Sequence, residues 1–485
     1  MVIISCVRMF DPWDTMVAQS TFTNPLIYSD FPDNDVSKGP DGDYYFSASS
    51  FQFSPGAPIL KSLDLVNWEL IGHSVPSVAA FGSTFEMQDT PAYVSGVWAS
   101  TMRYRASKGK WYWYGCIGFS KTYVYTATSV TGPWAQAGTI SHCFYDCGLL
   151  IDDDDTMYIV YGQTNISIAT LSSDGLGITK TAQLFSGPGG ASEEGSRLYK
   201  INGFYYVLGD RPSGTTYVWR SSSIYGTWTY QTLQTGVSSP IPGGGLIDQG
   251  SFVQAPNGDC NKWAVSYPFP GTSAAPLPAR NGTDAFSGTS PGPGWEWNFA
   301  PDTTKFSINN SLTLYMATVT NDLYKSRNTL THRTDGGSPI GTVEIDFSGM
   351  ADGDSCGLAA FRDSTAWIGV TRSGSTYNLV QVSGATQDSS NKWATTSTGN
   401  TIASKSISVS RIYLRVSMDV RPNGAKSATF SYSTNGSSFT SFGSIFTLNS
   451  TWQYFTGYRY GIFNFATKTL GGFIKVISFT TSGSS

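Results

Sequence analysis

Five times in the first 270 residues a turn of Asp, Gly or Asn runs directly into a short aromatic strand, at 40–46, 108–113, 153–159, 201–207 and 257–264. The first copy reads Pro40-Asp41-Gly42-Asp43-Tyr44-Tyr45-Phe46, and the fourth Ile201-Asn202-Gly203-Phe204-Tyr205-Tyr206-Val207. The aromatic anchors recur roughly every 45–65 residues, the span of one four-stranded propeller blade. A second echo keeps phase with the first: a small-residue strand and a turn ending in Trp68, Trp134 or Trp228, with Leu176 standing in the third copy. A ring of five such blades brings loops distant in sequence to one central pit.

Composition agrees with strands and tight turns. Only 13% of residues are charged, Gly numbers 52, and the 40% apolar content is ample for two or three cores. No apolar stripe of helical period extends beyond a few turns, and no stretch is long and apolar enough to span a membrane. A net charge of -4 offers no basic face for nucleic acid, whereas an uncharged, hydroxyl-rich ligand suits a chain rich in aromatics and carboxylates. The six cysteines show no CxxC pair and no zinc spacing; Cys143 and Cys147 stand close enough for a local bridge, with buried free thiols the alternative. Sequons at Asn165, Asn281, Asn309, Asn435 and Asn449 lead us to expect a secreted, extracellular glycoprotein. The apolar run from Met1 to Ile4 is too short for a signal peptide, and Arg8, Asp11 and Asp14 keep it from extending.

The run 24–36 (Asn24-Pro25 through Pro32-Asp33-Asn34-Asp35-Val36), then Ser49-Ser50-Phe51, Pro55-Gly56 and 62–69 form an ordered set of motifs. Gly96-Val97-Trp98-Ala99-Ser100, Tyr145-Asp146-Cys147-Gly148 and Glu194-Gly195-Ser196-Arg197 continue it. Together they resemble glycoside hydrolase family 43, five-bladed propeller enzymes that include α-L-arabinofuranosidases, β-xylosidases, arabinanases and an exo-galactanase branch. The resemblance implies Asp33 as general base, Glu194 as general acid, and Asp146 as a third acid that orients Glu194 and helps to keep it protonated. Inverting hydrolysis needs such a pair about 6.5–9.5 Å apart on opposite faces of the sugar. Each acid stands just before a repeated aromatic phrase, where the innermost strand enters its blade.

Rivals stand close by. Asp35 shares the strand face of Asp33 and Asp30 is near; Glu193 adjoins Glu194, but strand alternation sends neighbours to opposite faces. The run Asp152 to Asp155 reads as a solvated hairpin turn before it reads as a calcium site. Phe51 and Trp98 stand where the family lines its sugar pocket, although both are equally at home in a core. Many members place His-Gln-Gly in the fifth blade; here it is Asp248-Gln249-Gly250, with Gln249 as a substrate contact. Asp248 leaves either a calcium ion at the propeller axis or only water. Catalysis by two carboxylates requires no cofactor. Ser196 and Arg197 replace the usual Pro-His after the acid, and with three histidines a histidine metal centre is excluded.

Beyond Pro268 the sequence turns to linker chemistry, and alternating strands resume near Trp295. The segments 295–298, 326–334 and 352–361 resemble the lectin-like, jelly-roll β-sandwich appended to β-xylosidase-type members. The expected organisation is therefore all-β: an extension (1–22), a five-bladed β-propeller (23–270), a linker (271–294) and a β-sandwich (295–485). The expected function is a monomeric, inverting exo-hydrolase releasing α-L-arabinofuranosyl side chains from arabinoxylan or a related cell-wall polysaccharide. A β-xylosidase stands close behind, and a catalytically silent carbohydrate-binding propeller is the alternative from another class.

Overall fold

The computed structural model describes residues 3–4, 21–88, 90–212, 214–236, 239, 243–245, 249–253, 266–268 and 281–484. Four blades are complete among them, each an antiparallel sheet of four strands in chain order. They are Asp35–Lys38, Tyr44–Ser47, Gly56–Ser62 and Glu69–Val75; Ser100–Arg105, Lys110–Ile117, Lys121–Ala127 and Ala135–Ile140. The third and fourth are Gly148–Ile151, Met157–Tyr161, Asn165–Leu171 and Ile178–Ser186; and Glu194–Ile201, Phe204–Arg211, Thr215–Ser221 and Thr229–Thr235.

The repeated phrase is the hairpin between the first and second strand of a blade. Asn202 and Gly203 both take positive φ, 50° and 78°, the backbone that a two-residue hairpin of matching twist requires. Tyr44, Tyr45 and Phe46, the aromatic strand of the first copy, are at most 2% exposed. Trp68, Trp134 and Trp228 precede the outermost strands and are buried, two of them capped locally: Trp68 Nε1 donates to Leu65 O and Trp134 Nε1 to Val130 O.

Where five blades were expected, four are complete among the described residues. The fifth phrase, 257–264, lies outside them. On either side of it Ser251–Phe252 pairs in parallel with Ile3–Ile4, and Ser266–Pro268 pairs antiparallel with Thr21–Thr23. Two short strands of the segment expected to be an extension, Ile3–Ile4 and the start of Thr21–Thr23, thus pair with strands that follow the fourth blade.

The second domain packs a nine-stranded sheet on an eight-stranded one around a core that includes Trp295, Leu358, Leu414 and Ile462. It begins earlier than its sequence suggested. Gly282–Asp284 pairs with Phe473–Ser484, and Phe286 is buried in the sandwich core, so the stretch read as linker already contributes structure. The domains are also stitched together: Phe53–Ser54 of the first blade extends the eight-stranded sheet by pairing with Trp297–Asn298. Beside this seam Glu296 takes hydrogen bonds from His73 (2.8 Å), Arg333 (2.7 Å) and Arg459, while Asp30 pairs with Arg333 (3.0 Å) and Arg459 (3.2 Å).

Candidate active site

The innermost strands of the blades carry the acids to the centre. Asp33 lies two residues before Asp35–Lys38, Asp146 two before Gly148–Ile151, and Glu194 opens Glu194–Ile201. Asp33 and Asp146 adopt left-handed backbone, φ 59° and 49°, and Gly195 follows Glu194 at 69°. Such a conformation costs a non-glycine residue about 1–3 kcal/mol and persists where the surroundings over-determine it. Here it turns the chain sharply just before the strand.

Each carboxylate is held. Ser49 Oγ donates to Asp33 Oδ2 at 2.5 Å, and Gly195 N–H donates to Asp146 Oδ2 at 3.2 Å. Tyr145 Oη (3.0 Å) and the Gln163 amide (2.8 Å) both donate to Glu194 Oε2. The acids also feel one another. Burial, then the charges of Asp33 and Glu194, push the Asp146 carboxyl up to about 8 against the opposing Arg197 guanidinium. Burial and the same three acids raise the Tyr145 hydroxyl, keeping it a donor.

Arg197 organises the axis. Its fully buried guanidinium donates to Cys147 O (2.6 Å) and to Asp33 O (3.2 Å), and its Nε lies 3.5 Å from Asp35 Oδ1. With its amide oxygen turned inward, Gln249 accepts from Arg197 at 2.6 Å. One side chain of the fourth blade thereby touches the first, the third and the segment after the fourth. Asp248 lies outside the described residues, and among the described residues no cluster of three metal-ligating side chains forms. Asp35, the carboxylate beside Arg197, is also ion-paired with Arg103.

The rivals separate cleanly. Asp35 is 0% exposed, gripped by both terminal nitrogens of Arg103 (2.7 and 2.9 Å) and by Thr101 Oγ1 (2.6 Å), a structural tie between the first two blades. Asp30 serves the domain interface. Glu193 points away from Glu194 into the fourth blade, where Trp219 Nε1 donates to it at 2.7 Å and burial pushes its carboxyl up to about 7. The Asp152 to Asp155 run is a hairpin turn, with Asp152 bound to Lys200 and Asp155 to Arg105.

Two expectations change. Phe51 does not face the cavity beside the acids: at 2% exposure it packs edge-on behind Trp98, centroids 6.1 Å apart, in a core with Tyr93, Val94 and Phe299. Among the described residues a bridge joins Cys116 to Cys143, leaving Cys147 buried and free, because the hairpin carrying Cys116 lies against the segment that carries Asp146. Trp98 does line the cavity, a hollow of about 80 Å³ shared with Gly96, Phe119, Tyr145 and Asp146. Sequence reasoning missed Tyr145, Gln163 and Ser49 as partners of the acids. Tyr145, adjoining Asp146, and Ser49, in the motif Ser49-Ser50-Phe51, carried a signal; Gln163 carried none.

Acids from three blades act on one another's charge, and one of them, Asp146, lines an aromatic-walled hollow. The model of glycosyl hydrolases family 43 matches residues 22–268. The chain belongs to this family. A second model, the β-xylosidase C-terminal concanavalin A-like domain, matches 283–480, and with it the sandwich of this family 43 glycoside hydrolase. A solved GH43 glycoside hydrolase, engineered to display both endo-xylanase and exo-arabinofuranosidase activity, superimposes with TM-score 0.91 at 38% identity, covering 96% of this chain and 100% of that one. A β-xylosidase of Formosa agariphila is 26% identical over 95% of this chain and 90% of its own length. A non-reducing end α-L-arabinofuranosidase of Bacteroides ovatus is 29% identical over 44% of this chain and 41% of its own.

Proposed function

We propose that the enzyme is an inverting exo-α-L-arabinofuranosidase that removes side chains from arabinoxylan. The carrying observation is the paired grip on Glu194. Tyr145 and Gln163 both bind Oε2, which leaves Oε1 to deliver a proton to the glycosidic oxygen. Asp33, aimed by Ser49 and by the Arg197 contact to its carbonyl, takes a proton from water that attacks the anomeric carbon from the opposite face. Burial and the charges of Asp33 and Glu194 raise the Asp146 carboxyl, which disfavours a third negative charge beside Glu194. Arabinofuranose is favoured over xylose by the likeness, over the whole chain, to the engineered enzyme with exo-arabinofuranosidase activity.

A second reading, β-xylosidase, is favoured by the Formosa relative, which aligns along both domains. Proton NMR of an arabinoxylan digest decides between them. Arabinose appearing first as the β-anomer supports the proposal; xylose without arabinose supports the second reading; arabinose appearing first as the α-anomer overturns inversion.

The same reading takes the protein to be secreted, glycosylated and monomeric. Asn449 is the sequon least suited to a glycan, since its amide nitrogen donates to Asp363 at 2.8 Å. A mass shift on enzymatic deglycosylation and the sedimentation velocity of the purified protein test these points.

A further inference from the structure

Glu193 is a buried carboxyl that the proposed chemistry does not use. It is 0% exposed; Trp219 Nε1 donates to its Oε1 at 2.7 Å, while Oε2 finds no partner among the described residues. The seat is shaped to the side chain, since a Cβ on Gly209 would lie 2.1 Å from Oε1 and only glycine leaves room. The Trp219 indole is fixed in turn, stacked on Phe185 with ring centroids 3.8 Å apart. A neutral carboxyl tolerates one missing partner at a cost of about 1–3 kcal/mol, whereas a carboxylate there is a buried charge without a cation and costs more.

This residue also underlies the grip on the acid. Glu194 follows it directly, and Glu193 O accepts from Thr164 N–H at 2.9 Å, which places the turn whose Gln163 amide binds Glu194 Oε2 at 2.8 Å. The strand ladder gives Glu194 little else: it pairs with Asp210, and the register then slips before pairing resumes between Arg197 and Leu208. A bulge frees the strand to re-aim its side chains, so the direction of Glu194 depends on how its neighbour is seated.

Few charges surround the seat. On the second strand Asp210 accepts from Thr216 Oγ1 at 3.0 Å, and on the third Tyr217 is the titratable neighbour of Trp219. From the third blade Phe185 backs Trp219, while Gly187 and Thr164 adjoin Glu193 itself. Burial pushes the Glu193 carboxyl up to about 7, opposed only by the Trp219 hydrogen bond.

Resting on the role of Glu194 as general acid, we propose that Glu193 is its positioning residue. Seated and neutral, Glu193 holds Glu194 and Gln163 in line; on losing its proton to solvent it leaves the Gly209 seat and disengages both. The alkaline limit of activity then belongs to a group that never touches substrate.

The test follows sugar release from wheat arabinoxylan by the intact parent, Glu193→Gln and Trp219→Phe from about pH 5 to 9. Glutamine keeps the Trp219 bond and cannot ionise, so its alkaline midpoint in kcat/KM is expected about one pH unit or more above that of the parent, with the acid limb in place. Trp219→Phe removes the donor that favours the ionised form and is expected to move the midpoint the same way, which serves if Glu193→Gln fails to fold. Coincident alkaline midpoints in the parent and the folded variants overturn the proposal, because a merely structural role lowers activity without moving them. Hydrogen exchange read by mass spectrometry and corrected for the chemical rate follows the same event without substrate. Between about pH 6 and 8, exchange in 162–166 and 193–200 should rise in the parent and not in Glu193→Gln. A rise in both proteins, or none in the parent, overturns it. A parent that releases no sugar at any pH fails the proposed function separately, and the exchange result then decides this inference alone.

Discussion

Arg197, buried in the fourth blade, donates to the backbone carbonyl of Asp33 in the loop that leads into the first, at 3.2 Å. Blades adjacent to the ring closure are thereby locked at the height of the site. The position of one acid depends on a residue three places after the other, Glu194.

Asp33 and Asp35 differ by two positions and by kind of role, which gives the first prediction. Asp33→Ala keeps the thermal transition within a few degrees and lowers turnover by about 10²–10⁴, the usual worth of a positioned base. Asp35→Ala leaves Arg103 and Arg197 buried without their carboxylate and costs about 3–5 kcal/mol. Calorimetry beside kinetics checks both; an inactive but fully stable Asp35→Ala would exchange the assignments.

Glu194→Ala should hurt most where the leaving group most needs a proton. Its loss on arabinoxylan exceeds its loss on 4-nitrophenyl arabinofuranoside by about tenfold or more, since nitrophenolate departs unprotonated. Equal losses on both substrates would remove Glu194 from the acid role.

The Asp146 carboxyl, raised to about 8, makes stability fall with pH. Its unfolded value is about 3.9, so the native state binds the proton more tightly; this contribution is complete below that pH and is lost as pH rises through the folded value. Urea midpoints of the parent should decline between about pH 5 and 8 more steeply than those of Asp146→Asn, which carries no titrating group. Parallel profiles would contradict it.

Glu296 has the opposite sign. Burial alone would raise its carboxyl, but the Arg333 and Arg459 guanidiniums and the His73 hydrogen bond outweigh that and hold it well below the usual range. Its stabilisation is present above an unfolded pKa of about 4.3 and is lost as pH falls toward the folded value. Glu296→Gln should cost about 3–5 kcal/mol at neutral pH and flatten the acid limb of the stability curve, as read by denaturant titration.

The Cys116–Cys143 bridge closes a separation of 27 residues and ties the hairpin of Phe119 to the segment of Tyr145 and Asp146. Replacing both cysteines by alanine should cost about 3.5 kcal/mol in the chain-entropy account. It should also lower kcat, since Tyr145 loses its anchor; a double variant with parental melting and kinetics would count against both effects.

The propeller was legible because its signal is local and repeated: a hairpin needing positive φ selects Asn-Gly or Asp-Gly, and the strand that follows must bury aromatics. The separation of Glu193 from Glu194 was legible for the same kind of reason, since alternation sends Glu193 to Trp219 and its neighbour to Tyr145 and Gln163. Phe51 was misread because a ring behind the pocket wall and a ring on its surface have the same sequence signature. The disulfide escaped because it joins a second-blade hairpin to the approach of the third, a proximity created by the ring.

The order of strands, the two β domains and the acids at the blade starts follow from residues within a few positions of each other, where steric and hydrogen-bonding preferences act. That Asp35 is tied to Arg103, that Arg197 reaches the carbonyl of Asp33, and that a sandwich loop brings Tyr454 against Trp98 were decided by closure of the ring and docking of the sandwich. Charge pairing and ring packing depend on distance in space, and only the folded chain brings residues hundreds of positions apart within that reach.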